Sequence, residues 1–220
     1  MSGEFVAAME DVLELYAEAD APDRPRVNFD ECSVELHKDA RPPLPPAPGR
    51  PARVDYEYVR NGTANLFILV DPNAGRRHVT VTERRTKADF AGQMRRLCDE
   101  WYPDAEVVRV VLDNLNTHTV GALYEAFAPA EARRLASKLE FHYTPKHASW
   151  LNMAELELSV LARQCLGRRI PDAETLASEV RAWQDARNRD GVKIEWCFKV
   201  ADARKKMHRV YPKQTPAAVH

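Results

Sequence analysis

The sequence predicts an α/β domain in which helices flank a mixed five-stranded sheet, and three patterns carry that prediction. The apolar run from Val107 to Leu112 is rich in β-branched residues, as in a strand buried on both faces. Alternating apolar and polar residues between Val54 and Arg85 indicate an antiparallel meander. Apolar residues at helical spacing lie before, between and after these segments. Antiparallel strands followed by strands that are reached through helices form a mixed sheet covered by helices.

Composition places the chain among globular proteins. Its 220 residues are 45% hydrophobic and 30% charged, which suits one sizeable domain. No apolar run approaches the length of a membrane span, and the acidic N-terminus lacks the basic start and apolar core of a signal peptide. The four cysteines have no paired metal-binding spacing and suit a reducing compartment. We therefore expect a cytoplasmic protein with no membrane partner.

The N-terminal segment, residues 1–20, predicts an amphipathic helix, because Phe5, Met9, Leu13 and Tyr16 recur at helical spacing. A first strand then runs from Arg26 to Leu36, and Asp30 and Glu31 interrupt its apolar pattern. Asn28 would lie on an inner strand, where its amide needs a hydrogen-bond partner.

A proline-rich insertion at 41–53 separates the first strand from the meander. Asn61-Gly62 divides the extended stretch that follows into two runs, and this pair favours a tight hairpin turn or a bulge. A cleanly alternating strand, Arg76 to Arg85, completes the meander.

The remaining elements alternate between helices and short strands. We expect 21–165 to form one catalytic core and 166–220 to add C-terminal helices packed on the same domain. The predicted elements are a helix from Lys87 to Trp101, the strand ending at Leu112, helices from Val120 to Phe127 and Pro129 to Leu139, a strand from Leu139 to Pro145, and helices from about Asn152, from Asp172 to Arg189 and from Ala201 to Arg209.

Three acids stand out in this arrangement. Asp30 interrupts the first strand and Asp113 ends the fourth, although Asp113 and Asn114 alone also suit a turn. A third acid lies in the first turn of the helix after the fifth strand, and helical periodicity does not choose between Glu155 and Glu157. Glu31, next to Asp30, points away from such a site in a strand.

These acids would be side by side if the first and fourth strands are neighbours. Carboxylates at such short distances repel one another unless a cation or a shared proton lies between them. Oxygen ligands without cysteine or paired histidine indicate Mg²⁺ or Mn²⁺ rather than Zn²⁺. Two such ions, about 3.5–4 Å apart, suit phosphodiester cleavage.

The motifs VNFDE, VVLDNLNTH and TPKHASWLNMAE, in this order, resemble the catalytic domain of the DDE-superfamily transposases, in the bacterial insertion-sequence branch related to mariner elements. The resemblance implies a ribonuclease-H-like fold, and it implies that the protein acts in a bacterial cytoplasm. It also implies two divalent ions, Mg²⁺ or Mn²⁺, on a catalytic triad of Asp30, Asp113 and Glu155, and so selects Glu155 over Glu157. Asn28 departs from the family, which usually has an apolar residue or cysteine there.

Other positions that match the motifs are expected to bind DNA or to support the acids. An exposed lysine, histidine and tryptophan before the catalytic helix suit gripping a backbone phosphate and stacking a base. Trp150 suits a core anchor equally well, and His118 suits a hydrogen-bonded structural histidine. The positions are Asn114, His118, Lys146, His147, Trp150 and Asn152.

The resemblance implies a metal-dependent endonuclease and strand transferase that cuts element ends in double-stranded DNA and joins them to target DNA, as a homodimer. Family members carry helix-turn-helix modules before the catalytic domain, and nothing comparable precedes Asp30. We therefore expect a fragment, a relic, or one half of a transposase whose helix-turn-helix half is encoded separately. The alternative is a catalytically idle truncated transposase that acts as a DNA-binding or dimerisation module. A nucleotide switch is excluded because no phosphate-binding G-x-x-x-x-G-K-[ST] loop is present.

Overall fold

The computed structural model describes residues 2–53 and 55–212. Its centre is a five-stranded sheet with the order β3-β2-β1-β4-β5. The strands are β1 (Arg26–Asp39), β2 (Tyr58–Asp71), β3 (Arg76–Thr82), β4 (Val108–Leu112) and β5 (Leu139–Tyr143). The first three strands pair antiparallel, whereas β4 pairs parallel with both β1 and β5. The predicted mixed sheet is confirmed.

Helices cover both faces of the sheet. They are α1 (Gly3–Ala17), α2 (Lys87–Arg96), α3 (Val120–Ala126), α4 (Pro129–Lys138), α5 (Met153–Gln164), α6 (Ala173–Arg189) and α7 (Val200–Lys206). Helices α2, α3 and α4 pack on one face, in a core that includes Phe29, Phe90 and Leu112. Residues of α1, α5, α6 and α7 pack on the opposite face. None of these described helices is long and apolar enough to cross a membrane.

Strand β4 is buried along its whole length, as its apolar run predicts. Val110 and Leu112 face the core beneath α2, whereas Val111 faces the core beneath α1. This alternation explains why the valines and the leucine of β4 are all buried. Arg109 is the one charged residue in the strand; it is buried as well and pairs with Glu18 and the Arg24 carbonyl.

The Asn61-Gly62 pair forms a bulge and not a hairpin turn. Strand β2 runs continuously through it, and the pairing shifts between Glu35 and His37 of β1, so that two residues of β2 oppose Leu36 alone. Gly62 has a φ of 93°, which residues with a side chain rarely adopt. The bulge lets β1 and β2 continue as a ribbon that ends in the insertion at 41–53.

The helix predicted from Lys87 to Trp101 changes its winding near its end. Helix α2 stops at Arg96 and continues as one π-helical turn, Leu97–Trp101. The ring of Trp101 stacks on His78 of β3, with centroids 3.8 Å apart and planes 12° apart. The wider turn accompanies this stacking, which periodicity alone does not reveal because it depends on a residue of another strand.

Candidate active site

Asp30 and Asp113 lie in matching positions just beyond the parallel ladder of two neighbouring strands: β4 ends before Asp113, whereas β1 continues past Asp30 and pairs with β2 there. The last pair of the β1–β4 ladder joins Asn28 to Val111, and each acid follows its strand residue by two positions. Parallel strands that are paired in this way deliver their next residues to the same edge of the sheet. The first and fourth strands are neighbours, which is the condition under which the two acids would lie side by side.

The ionisation of Asp30 reflects the crowding of acids at this edge. Burial is the largest cause that raises the pKa of Asp30, and the charges of Asp113 and Glu155 add to it, so the pKa is about 7. A hydrogen bond from the Glu31 amide, at 2.8 Å from Asp30 Oδ1, acts in the opposite direction. The shift indicates that the three acids are close enough to interact electrostatically.

The acids meet solvent but do not form a closed cage. The Asp113 side chain is 39% exposed, and Glu155 is exposed at the first turn of α5. Within residues 2–53 and 55–212, no group of three or more His, Cys, Asp or Glu side chains is placed to hold a metal ion as it stands. The donor set is nevertheless one that suits a hard cation, because the carboxylates repel one another without it.

Asn152 joins the helix of Glu155 to the strand of Asp30. Its side-chain oxygen caps α5 by accepting from the Ala154 amide at 3.0 Å. Its Nδ2 donates to the Phe29 carbonyl at 2.8 Å and lies 3.3 Å from Asp30 Oδ2. Asn152 is buried, so these contacts fix the start of α5 relative to β1.

Asn28 of β1 and Tyr16 of α1 also contact the start of α5. Asn28 Oδ1 accepts from the Met153 amide at 3.2 Å and from the Tyr16 hydroxyl. The Tyr16 hydroxyl also lies 2.7 Å from the Leu151 carbonyl oxygen. The expected partner of Asn28 thus exists at its oxygen, whereas its Nδ2 has no partner among the described residues.

The structure separates Glu155 from Glu157, which periodicity could not. Glu157 is 2% exposed and faces the protein interior. Its carboxylate lies 3.0 Å from Arg77 Nε and 2.5 Å from Arg187 Nε. Glu157 is therefore paired with two arginines, whereas Glu155 is exposed and its charge helps to raise the pKa of Asp30.

His118 is fully buried and connects two carboxylates. Its Nδ1 lies 2.6 Å from Asp113 Oδ1, and its Nε2 lies 3.3 Å from Glu31 Oε2. Burial alone would lower the pKa of His118, but the hydrogen bonds to Asp113 and Glu31 outweigh it and raise the pKa to about 9. The histidine is hydrogen-bonded, as its structural interpretation expected, and it also contacts a proposed metal ligand.

Strand alternation predicts that Glu31 points away from the face of β1 that carries Asp30. Glu31 does lie on the opposite face of β1 from Asp30, but it reaches Asp113 through His118, which is 87 positions further along the chain. Sequence reasoning missed it because strand alternation describes only direct contacts. The adjacency of Asp30 and Glu31 in one motif was the available signal.

The remaining candidates lie along the rim of the site. Asn114 Nδ2 donates to the Thr144 carbonyl at 2.5 Å. Lys146 and His147 are exposed, and with Asn114 they line a cavity of about 240 Å³ beside Asp113. A second cavity, of about 530 Å³, continues past the same three residues to the N-terminal end of α1.

Trp150 packs against two aromatic rings and is also partly exposed. Its ring is nearly parallel to that of Trp196, with planes 15° apart and centroids 6.3 Å apart, and it meets Phe198 edge-on at 5.6 Å. It is also 39% exposed. Trp150 is therefore anchored by neighbouring rings while part of it faces solvent near the helix start.

The sheet order and the similarity in fold to a solved transposase structure define a ribonuclease-H-like α/β domain. The chain belongs to the DDE superfamily endonucleases, because the model of that family matches residues 25–177. This confirms the resemblance to DDE enzymes that the three motifs indicated. No curated protein sequence matches the chain.

Solved structures of the Mos1 mariner transposase are similar in fold. The Mos1 paired end complex with Mn is 18% identical, with a TM-score of 0.54 and coverage of 87% of this chain and 59% of that chain. The Mos1 strand transfer complex is 16% identical, with a TM-score of 0.57 and coverage of 87% and 58%. The paired end complex with Mg is 19% identical, with a TM-score of 0.53 and coverage of 87% and 57%. The chain spans about three fifths of the length of these Mos1 chains.

Proposed function

We propose that this chain is the catalytic domain of a transposase, a divalent-metal-dependent DNA endonuclease and strand transferase. One observation carries the proposal: Asp30 and Asp113 each lie two residues beyond the last pair of the parallel β1–β4 ladder, and the pKa of Asp30 is raised by burial and by the charges of Asp113 and Glu155. Membership of the DDE superfamily endonucleases supports the same chemistry.

Asp30, Asp113 and Glu155 would hold the metal, as Mg²⁺ or Mn²⁺ and as two ions. The donor set fits because the charges of Asp113 and Glu155 add to the raised pKa of Asp30, and a cation relieves that repulsion. The Mos1 complexes with Mn and with Mg support this choice. When bound, divalent ions at such a site lower the pKa of water and stabilise the leaving oxygen of a phosphodiester. The carboxylates act as ligands, and Asn152 and His118 keep Asp30, Glu155 and Asp113 in place.

Double-stranded DNA is the proposed substrate and partner. Exposed Lys146 and His147 lie beside Asp113, where they would contact backbone phosphates next to the scissile bond. The exposed part of Trp150 would stack on a base. A homodimer in a bacterial host completes the proposal. The Mos1 paired end and strand transfer complexes support the assembly on DNA ends.

Cleavage by matched variants tests this function. Asp30→Asn, Asp113→Asn and Glu155→Gln should each reduce Mn²⁺-dependent nicking of plasmid DNA to the level seen without metal, because each removes a ligand. Asp104→Asn is the control, since Asp104 is exposed and precedes β4 at the end opposite Asp113. Nicking by Asp113→Asn at the wild-type rate would refute the assignment.

The second candidate is a catalytically idle module that binds DNA or dimerises. It is favoured by one observation, that the described acids form no ready-made group of three for an ion. Calorimetric titration with Mn²⁺ separates the two functions. Saturable binding that Asp113→Asn abolishes supports the enzyme, whereas the absence of saturable binding in the wild type supports the idle module.

A further inference from the structure

We propose that Glu31 is a positioning residue that orients the Asp113 carboxylate through His118. The inference rests on the proposed function, because it assumes that Asp113 is a metal ligand. It assigns a role to an acid that would otherwise be a buried charge on the far face of the sheet.

The geometry is a chain of three side chains. Glu31 Oε2 lies 3.3 Å from His118 Nε2, and His118 Nδ1 lies 2.6 Å from Asp113 Oδ1. Each ring nitrogen therefore has one carboxylate partner. A hydrogen bond at one nitrogen of a histidine fixes the orientation of the group bound at the other nitrogen.

The surroundings hold the ring of His118 in one place. It is fully buried and contacts Phe29 at 5.0 Å and Phe90 at 4.9 Å between centroids. The Tyr143 hydroxyl donates to the His118 carbonyl at 2.8 Å. With the aromatic rings restricting its position, the ring plane is set by the two carboxylates at its ends.

The contacts on Asp113 are one-sided. Oδ1 accepts from His118 and lies 3.3 Å from the Leu115 amide nitrogen. In the part of the chain that the structure describes, these hydrogen bonds involve Oδ1 and leave Oδ2 available. A carboxylate held in this way presents its second oxygen to a cation without first having to lose rotational freedom.

Glu31 is itself held. Its side chain is 4% exposed, and its Oε1 lies 3.3 Å from Arg85 Nη1. Asp30 and Glu31 thus serve the same site from opposite faces of β1: Asp30 as a proposed ligand, and Glu31 as the anchor of the other strand's ligand. A strand that alternates its side chains makes this division possible with two consecutive residues.

Mn²⁺ binding by variants of the full chain tests the proposal. Glu31→Ala should weaken Mn²⁺ binding by about 10–100-fold in calorimetry, as the loss of groups that orient metal ligands does. Glu31→Gln keeps an acceptor for His118 and should recover part of that affinity. Nicking should show the same pattern at low Mn²⁺ and should approach the wild-type rate at saturating Mn²⁺.

The matched control is Glu35→Gln on the same strand. Glu35 also pairs with a histidine, His37 at 3.0 Å, and with Arg60 at 3.0 Å, but these groups are partly exposed and away from the site. This variant should bind Mn²⁺ as the wild type does. A purely structural role for Glu31 would lower the melting temperature without changing the Mn²⁺ dissociation constant.

The outcomes separate the two proposals. If both Glu31 variants bind Mn²⁺ with the wild-type dissociation constant while Asp113→Asn does not bind, the positioning role is wrong and the proposed function stands. If the wild type does not bind, or Asp113→Asn binds and cleaves normally, the proposed function fails and the positioning role fails with it. If Glu31→Ala does not fold, the dissociation constant of Glu31→Gln decides, and an unchanged value overturns the inference.

Discussion

At the scale of single residues, Asp30 combines burial with like charge. Its pKa of about 7 lies above the ordinary value of 3.8, so the folded protein binds a proton there more tightly than the unfolded chain does. The contribution of Asp30 to stability is therefore most favourable at low pH and becomes unfavourable as the pH rises from about 4 to about 7. Ligand residues commonly carry such a cost when the ion is absent.

The first prediction concerns this cost. Without divalent metal at pH 8, Asp30→Asn should be more stable than the wild type by about 1–3 kcal/mol, because the repelling charge is removed. The advantage should disappear at pH 4, where the wild-type carboxyl is protonated. Urea unfolding at both pH values measures it. Equal stability of the two proteins at pH 8 would contradict the electrostatic interpretation of Asp30.

At the scale of elements, the start of α5 determines where Glu155 lies. The sequence predicts the strand ending at Leu112 and the helix beginning near Asn152, because apolar runs and caps are local signals. It does not predict that Asn152 also contacts the Phe29 carbonyl, since that contact joins residues 123 positions apart. The Asn61-Gly62 pair suits either a hairpin turn or a bulge, and only the pairing of β2 with β1 decides that it forms a bulge.

The second prediction compares two helix caps. Asn152→Ala and Asp172→Ala each remove a side chain that caps a helix, α5 and α6 respectively. Each should lose about 0.5–2 kcal/mol of stability, measured by urea unfolding. Only Asn152→Ala should also weaken Mn²⁺ binding, because only that cap holds the helix of Glu155 against β1. Unchanged Mn²⁺ affinity in Asn152→Ala would show that the cap does not position Glu155.

At the scale of the whole molecule, the strand order brings together acids that are far apart in sequence. The sequence predicts five strands of mixed direction, but β1 and β4 become neighbours only through the order of the complete sheet. Pairing of β1 with β4 places Asp113 beside Asp30. The contacts of α5 with β1 bring Glu155 to the same edge of the sheet. Residue patterns alone do not decide whether Glu155 or Glu157 belongs to the site, because the arginines that pair with Glu157 come from β3 and α6.

The third prediction uses that pair of glutamates. Glu157→Gln should destabilise the protein by about 3–5 kcal/mol, because it leaves the buried charge of Arg77 and the partly buried charge of Arg187 without a carboxylate. Glu155→Gln, at an exposed position on the same helix, should change stability by less than about 0.5 kcal/mol. Urea unfolding of both variants gives the comparison. Similar losses in the two would mean that Glu157 is not the structural member of the pair.

The most direct test of the central claim is the position of Mn²⁺ in a crystal of this protein, located from its anomalous scattering. We predict an anomalous peak within about 2.0–2.6 Å of carboxylate oxygens of Asp30 and Asp113, with Glu155 at the same centre or at a second one beside it. The peak should disappear in crystals of Asp113→Asn. Mn²⁺ bound elsewhere, or no peak at these acids when binding is saturated in solution, would contradict the assignment of the site.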